Sequence, residues 1–256
     1  MRIFAIGDVV GSVGCRFLRE RLPALKKMYK VDLTIANGEN SADGNGITPV
    51  AAEHLYSSGV DVITTGNHAF RRKESYSQFD EDEFLLRPAN FSSAAPGRGV
   101  CIYDMGRLQV AVINLIGVVY MEPMDNPFDT LDAILKDPDL PKIRIVDFHA
   151  EATGEKRSLA YYADGRVSAV FGTNTHVQTA DECILPKGTG AICDIGMTGV
   201  IESVLGVKPE LVIEKQRTHM PVRFDLADGP CKLEGVLLDV DEKTGRCTGI
   251  QRVQVS

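Results

Sequence analysis

Short apolar runs that stop at glycine, asparagine or histidine recur along the first 70 residues. Residues 3–6 form one such run, ended by Gly7-Asp8, and read as a buried strand. Phe17, Leu18, Leu22, Leu25 and Met28 then fall at helical spacing with Arg and Lys between them, which predicts a helix over 14–29. A second strand, 31–36, stops at Asn37-Gly38. Thr48-Pro49 opens a helix over 50–57, with proline at the first turn where its missing N–H costs nothing, and Gly59 ends it. A third strand, 60–64, stops at Gly66-Asn67. This β-α-β-α-β order implies parallel strands joined by right-handed crossovers.

The pattern then changes. Pro88-Ala89-Asn90 and Pro96-Gly97-Arg98-Gly99 are rich in turn formers, and the strands 100–104 and 108–114 flank Met105-Gly106-Arg107 as a hairpin. A helix is predicted over 128–136, a strand over 143–148 ending at His149, a helix over 151–162, and a strand over 167–171 ending at Gly172-Thr173. Further strands are predicted at 182–185, 191–193, 222–226, 231–240 and 247–255, with a helix over 198–205. A parallel first half and a mixed second half suggest two facing sheets with helices on both outer faces. No repeat, low-complexity tract or linker interrupts 1–256, so a single domain is expected.

Composition narrows the function. The chain is 44% apolar and 25% charged, ordinary for a globular protein, and carries a net charge of −7. That charge argues against stable nucleic-acid binding, which needs a basic surface. A phosphate substrate remains open, because bound cations supply local positive charge. The six cysteines show no C-x-x-C pair and read as buried thiols in a reduced compartment. The N-terminal apolar run is too short for a signal peptide and no run is long enough to span a membrane, so the cytoplasm is the expected location.

Candidate chemistry gathers at the predicted strand ends, where α/β sheets place their functional groups. Asp8 follows the first strand, Glu39 lies between Asn37 and Asn40 after the second, and Asn67-His68 follows the third. His149 ends a later strand, and Asn174 and His176 follow the strand after it. Singly, each reads equally well as a cap, a turn residue or a surface histidine. Together they supply oxygen and nitrogen donors at equivalent positions, the pattern of a binuclear metal site. His54 and His219, by contrast, read as ordinary helix and loop residues, and Arg71-Arg72-Lys73 as a solvated cluster that could also cradle a phosphate. The acidic run 80–83 reads as a solvated face or a helix start.

Seven stretches carry a family resemblance: Gly7-Asp8-Val9-Val10-Gly11, Ala36-Asn37-Gly38-Glu39-Asn40, Gly66-Asn67-His68, Arg87-Pro88-Ala89-Asn90 with Pro96-Gly97-Arg98-Gly99, Asp147-Phe148-His149-Ala150-Glu151-Ala152-Thr153, Thr175-His176-Val177-Gln178-Thr179-Ala180-Asp181, and Asp194-Ile195-Gly196-Met197-Thr198-Gly199. Over essentially its whole length the chain resembles the calcineurin-like metallophosphoesterases, and within them the YmdB-like bacterial phosphodiesterases. The resemblance implies an α/β fold, a four-layer αββα sandwich of two mixed sheets flanked by helices. It implies two divalent or trivalent metal ions, Mn or Fe, with Glu39 bridging, Asp8 and His176 on the first, Asn40 close by, and Asn67 and His149 on the second. His68, with Asn40, carries the catalytic role. The implied reaction is hydrolysis of a nucleotide phosphodiester, such as a 2′,3′-cyclic nucleotide monophosphate, by two-metal-activated hydroxide. The expected partner is a small phosphodiester or nucleotide, and homo-oligomer formation is left open.

Two positions depart from the family pattern. Asn174 stands where the second metal's other histidine is expected, and an amide oxygen binds Mn²⁺ or Mg²⁺ but is poorer than imidazole for softer metals. Val118 stands where related sequences often carry arginine, which removes a phosphate-binding charge. Asn174 therefore motivates a second expectation, a catalytically weak metal- or nucleotide-binding regulatory protein.

Overall fold

Alternation along the first strand sets the architecture. β1 (Arg2–Ile6) turns Ile3 and Ala5 to one side and Phe4 and Ile6 to the other, because successive strand side chains point to opposite faces. All four are fully buried, so both faces of their sheet are covered. A computed structural model describes all 256 residues and shows what covers them.

The chain runs β1, β2 (Asp8–Val9), α1 (Gly11–Tyr29), β3 (Leu33–Asn37), α2 (Pro49–Ser57), β4 (Val62–Thr64), α3 (Tyr76–Glu81), β5 (Val100–Asp104), β6 (Gln109–Ile116), α4 (Pro127–Leu135) and β7 (Ile143–His149). It continues through α5 (Thr153–Tyr162), β8 (Ala169–Thr173), β9 (Cys183–Ile184), β10 (Gly190–Ile192), β11 (Met197–Val200), α6 (Pro209–Thr218), β12 (Cys231–Val240) and β13 (Cys247–Val255). The first sheet has the order β2-β11-β12-β1-β3-β4, with β13 along the other edge of β12. β1, β3 and β4 are parallel, and β12 is antiparallel to β1. The second sheet has the order β5-β6-β7-β8-β10-β9, parallel from β6 through β10 with an antiparallel strand at each end.

Three apolar layers separate the elements. Ile3, Ala5, Leu33 and Ile35 meet Val112, Ile145, Ala169 and Phe171 between the sheets. Phe4, Ile6 and Ile63 pack under Leu18 and Leu22 of α1 and Leu55 of α2. Leu115, Val146 and Phe148 pack under Leu131 of α4 and Leu159 of α5. The result is a four-layer αββα sandwich, and the doubly buried parallel strands explain the unbroken apolar runs of the sequence. All six cysteines are free, five of them buried. No helix is long and apolar enough to cross a membrane.

Several sequence expectations differ from the structure. The helix expected over 198–205 is instead β11, whose Met197 and Thr198 pair with β2 and whose other edge pairs with β12. Local helical spacing lost there to two strand partners brought from far along the chain. The strand expected over 222–226 is absent, and only Leu226 forms a single bridge, to Val207. Two helices went unread: α3, which ends inside the acidic run, and α6, which starts at Pro209, buries none of its residues and so shows little apolar stripe.

Behind the strand ends lies a buried clamp. Asp194 and Lys156 are both nearly inaccessible, and Lys156 Nζ donates to Asp194 Oδ2 at 2.8 Å. The same oxygen accepts from the backbone N–H of Thr175 at 3.0 Å and from its hydroxyl at 2.8 Å, while Gly196 N–H donates to Oδ1. The turn after β8 is thereby tied to α5 and to the segment before β11. Lys156→Met should cost about 3–5 kcal/mol, because it leaves Asp194 buried without its cation. Urea denaturation of the variant measures the loss.

Candidate metal centre

The predicted donors converge. Asp8 stands at the start of β2, Glu39 and Asn40 in the loop after β3, and Asn67 and His68 in the turn after β4. His149 ends β7 of the other sheet, and Asn174 and His176 follow β8. Carboxyl ends of strands from both sheets therefore face one another. Asp8, Glu39 and His149 bring one donor atom each to within 4.8 Å of one another, all fully or almost fully buried.

Around these three the neighbours are specific. His149 Nε2 lies 3.2 Å from Glu39 Oε1 and 3.0 Å from Asn67 Oδ1. His176 Nε2 lies 3.4 Å from Asp8 Oδ1. Asn40 Nδ2 donates to Asp8 Oδ1 at 3.3 Å and sits 3.3 Å from His176 Nε2, which turns its Oδ1 to His68 Nδ1 at 2.8 Å. The backbone N–H of His68 donates to Glu39 Oε2 at 2.9 Å. This makes two overlapping groups of oxygen and nitrogen donors that share Glu39: Asp8 and His176 on one side, with the Asn40 amide nitrogen against both, and Asn67 and His149 on the other. Such mixed donors fit divalent transition metals.

Asn174 takes a different direction. Its side-chain Nδ2 donates to Glu151 Oε2 at 2.6 Å, while its backbone N–H donates to Asp8 Oδ2 at 3.1 Å. Its φ of 99° lies in the left-handed region, where asparagine is among the better-tolerated residues. Position 118 contributes its backbone instead of a charge, with the Val118 N–H bound by Glu155 Oε1 at 2.9 Å.

Neighbouring polar groups orient His149. Thr64 Oγ1 donates to Asp147 Oδ2 at 2.5 Å and Thr173 Oγ1 donates to Asp147 Oδ1 at 2.8 Å. Thr173 Oγ1 lies 3.0 Å from His149 Nδ1 and the Asn37 amide nitrogen 3.4 Å from the same atom, so Nδ1 faces the scaffold and Nε2 is the nitrogen presented to Glu39 and Asn67. Gly66 makes room for the ring, since a Cβ there would fall 2.1 Å from His149 Cδ2. Asn37 completes the setting by accepting the Glu39 N–H at its Oδ1.

The electrostatics follow from burial and neighbours. Burial pushes the Asp8 carboxyl up, but the His176 and His149 imidazoles and the Asn174 N–H outweigh it and hold it at about 2. Burial acts to lower His149, yet Glu39, with Asp8 and Asp147 behind it, raises it to about 9. Glu39 is held low against its own burial by His149 and His68. Burial lowers His68, with Glu39 opposing. Burial raises Asp147 to about 7 in spite of its two hydroxyl donors. Sequence reading missed Asn37, Thr64, Asp147 and Thr173 as supporting groups. The one available signal was a lone aspartate inside the apolar strand 143–148. His54 and His219 lie outside the cluster: His54 Nε2 contacts the Cys15 carbonyl, and His219 caps α6.

Known proteins resemble this chain in sequence and in fold. It is 46% identical to the 2′,3′-cyclic-nucleotide 2′-phosphodiesterase of Bacillus subtilis, over all of this chain and 97% of that protein. The crystal structure of a novel phosphatase from Mycoplasma pneumoniae superposes with a TM-score of 0.95 at 32% identity, covering all of this chain and 93% of that one. The NAD nucleotidase of Haemophilus influenzae shares the fold alone, with a TM-score of 0.59 at 12% identity over 99% of this chain and 55% of that one. The sequence model of YmdB-like proteins matches residues 4–253, and the chain belongs to that family.

Proposed function

We propose that this chain is a metal-dependent phosphodiesterase that opens the cyclic phosphate of 2′,3′-cyclic nucleotides. The observation that carries the reading is the convergence of Asp8, Glu39 and His149, flanked by Asn67, Asn40 and His176, beside an exposed edge of His68. The name of the Bacillus subtilis relative supports the substrate. Two ions, Mn or Fe by the mixed donor set, would be held by Asp8 and His176 and by Asn67 and His149, with Glu39 shared between the two sets. When bound, they would activate water near neutral pH and offset charge on the phosphoryl oxygens.

The protein's own residues do the rest. Asn40 accepts at His68 Nδ1, so that nitrogen carries hydrogen and Nε2 is left for substrate. Protonated, His68 donates from Nε2 to the departing ribose 2′ oxygen. Its backbone N–H on Glu39 ties this imidazole to the metal donors, so its distance from the reacting phosphate is set by the same loop.

Asn174 supports a second reading, a catalytically weak regulatory protein, because its Nδ2 donates to Glu151 and the remaining carbonyl oxygen is a poorer ligand than imidazole for softer metals. Asn174→His discriminates. Tighter Mn²⁺ binding together with faster turnover would mark the natural chain as a weakened enzyme, and unchanged values would mark the present donor set as sufficient.

Glu39→Ala should lower Mn²⁺-dependent hydrolysis of bis-p-nitrophenyl phosphate by more than about 100-fold and abolish metal uptake. Full activity in that variant would refute the shared role of Glu39. Metal affinity should also depend on pH. With His149 raised to about 9, uptake at neutral pH displaces its Nε2 proton, so Mn²⁺ affinity should rise as pH approaches 9 and fall in acid. Calorimetry at pH 7 in buffers of different ionisation enthalpy should detect that proton release.

A further inference from the structure

A cleft of about 820 Å³ opens beside His68 and runs towards Phe224, its wall formed by Arg71, Arg72, Arg223 and Leu226 among others. That volume lies high in the range of about 300–1,000 Å³ usual for small-ligand sites. Clefts near Met1 and Asp239 and near Arg144 and Arg166 contain none of the metal-centre residues.

The three arginines are not equivalent. Arg72 is committed to the protein: Nε donates to the Asn45 carbonyl at 3.0 Å, and Nη2 to the Ala42 carbonyl at 3.2 Å with Asp43 Oδ2 at 3.5 Å. Arg71 has only Glu122 at 3.8 Å, and both side chains are about half exposed or more, so water screens the pair. Arg223 is exposed and has no ion-pair partner. Asp43 is already paired with Arg72, which leaves Asp225 as the one unpaired carboxylate lining the cleft beside the unpaired Arg223 and the weakly paired Arg71, in a chain of net charge −7. Phe224 is 41% exposed, with Lys215 Nζ 4.9 Å from its ring centroid.

We infer that this cleft selects a nucleoside 2′,3′-cyclic phosphate that carries a second phosphate on its 5′ side. The inference rests on the function proposed above. The cyclic phosphate is answered by the metal donors, and a plain cyclic mononucleotide has no other anion. Arg223 would therefore lack an ion-pair partner, and Arg71 would keep only the screened contact to Glu122, unless the substrate brings one. Guanidinium forks suit a phosphate, and the Phe224 ring suits a stacked base. The second phosphate is either a 5′ monoester or the internucleotide diester of a short RNA end. RNA cleavage by attack of a 2′ hydroxyl on the adjacent phosphate is the class of reaction that leaves such ends.

The test compares kcat/KM of the Mn²⁺-loaded protein on three compounds: adenosine 2′,3′-cyclic phosphate, its 5′-phosphorylated form, and the diadenosine ApA ending in a 2′,3′-cyclic phosphate. At least one of the two larger compounds should be preferred by about 10-fold or more, mainly through KM. Preference for the monoester form or for the dinucleotide identifies which phosphate the cleft reads. The ratio should shrink towards one in Arg223→Ala and Arg71→Ala, and be partly kept in Arg223→Lys, which retains charge but not the fork. Equal rates on all three compounds, or an unchanged ratio in the arginine variants, would overturn this inference and leave the phosphodiesterase reading standing. No turnover of any of them by folded, metal-loaded protein would remove both.

Discussion

Four carboxylates buried at one end of the sandwich are the constraint that the rest of this structure answers. Asp8, Glu39, Asp147 and Asp194 are each no more than 1% exposed. Taking a carboxylate out of water costs several kcal/mol unless its charge is matched. They are matched in three ways. Asp194 has a buried lysine, Asp147 two hydroxyls, Glu39 the imidazole of His149, and Asp8 that of His176. The two that receive a histidine are the two that also meet other donors in the candidate metal centre. The two without one hold the scaffold in place.

That division explains the layout. Asp147 on β7 accepts from Thr64 on β4, so one carboxylate joins the two sheets at the point where their strand ends meet. Through Thr173 it also sets which nitrogen of His149 is presented. Asp194 does the same for the turn that carries His176, by binding Thr175 on one side and Lys156 on the other. Side chains that touch no substrate in this reading thus fix the geometry of those that do, as outer-shell partners do in metal sites generally. The cost falls on stability, because clustered like charges and residues with positive φ, such as Asn174 and His176, persist only where the surroundings over-determine them.

Much of the first sheet was legible in the chain. The runs before Gly7, Asn37 and Gly66 are buried on both faces, so they read as continuous apolar strands, and the helices between them carry clear apolar stripes. The donor residues were legible for a related reason: a polar residue that ends a buried run stands out against it. The C-terminal third was not legible. β11 is a strand because β2 and β12 pair with it, and α6 buries nothing, so neither has a periodicity of its own to read.

Sequence by itself determined the strand-helix alternation, the set of oxygen and nitrogen donors and the presence of asparagine at 174, because these depend on residue identity and local spacing. Tertiary structure decided which donors meet, which nitrogen His149 presents, and that the Asn174 amide turns to Glu151. It also decided that Arg72 is consumed by its own loop while Arg223 faces an open cleft. Those outcomes depend on hydrogen-bond partners brought from 23 to 166 residues away along the chain, and no local pattern encodes the meeting.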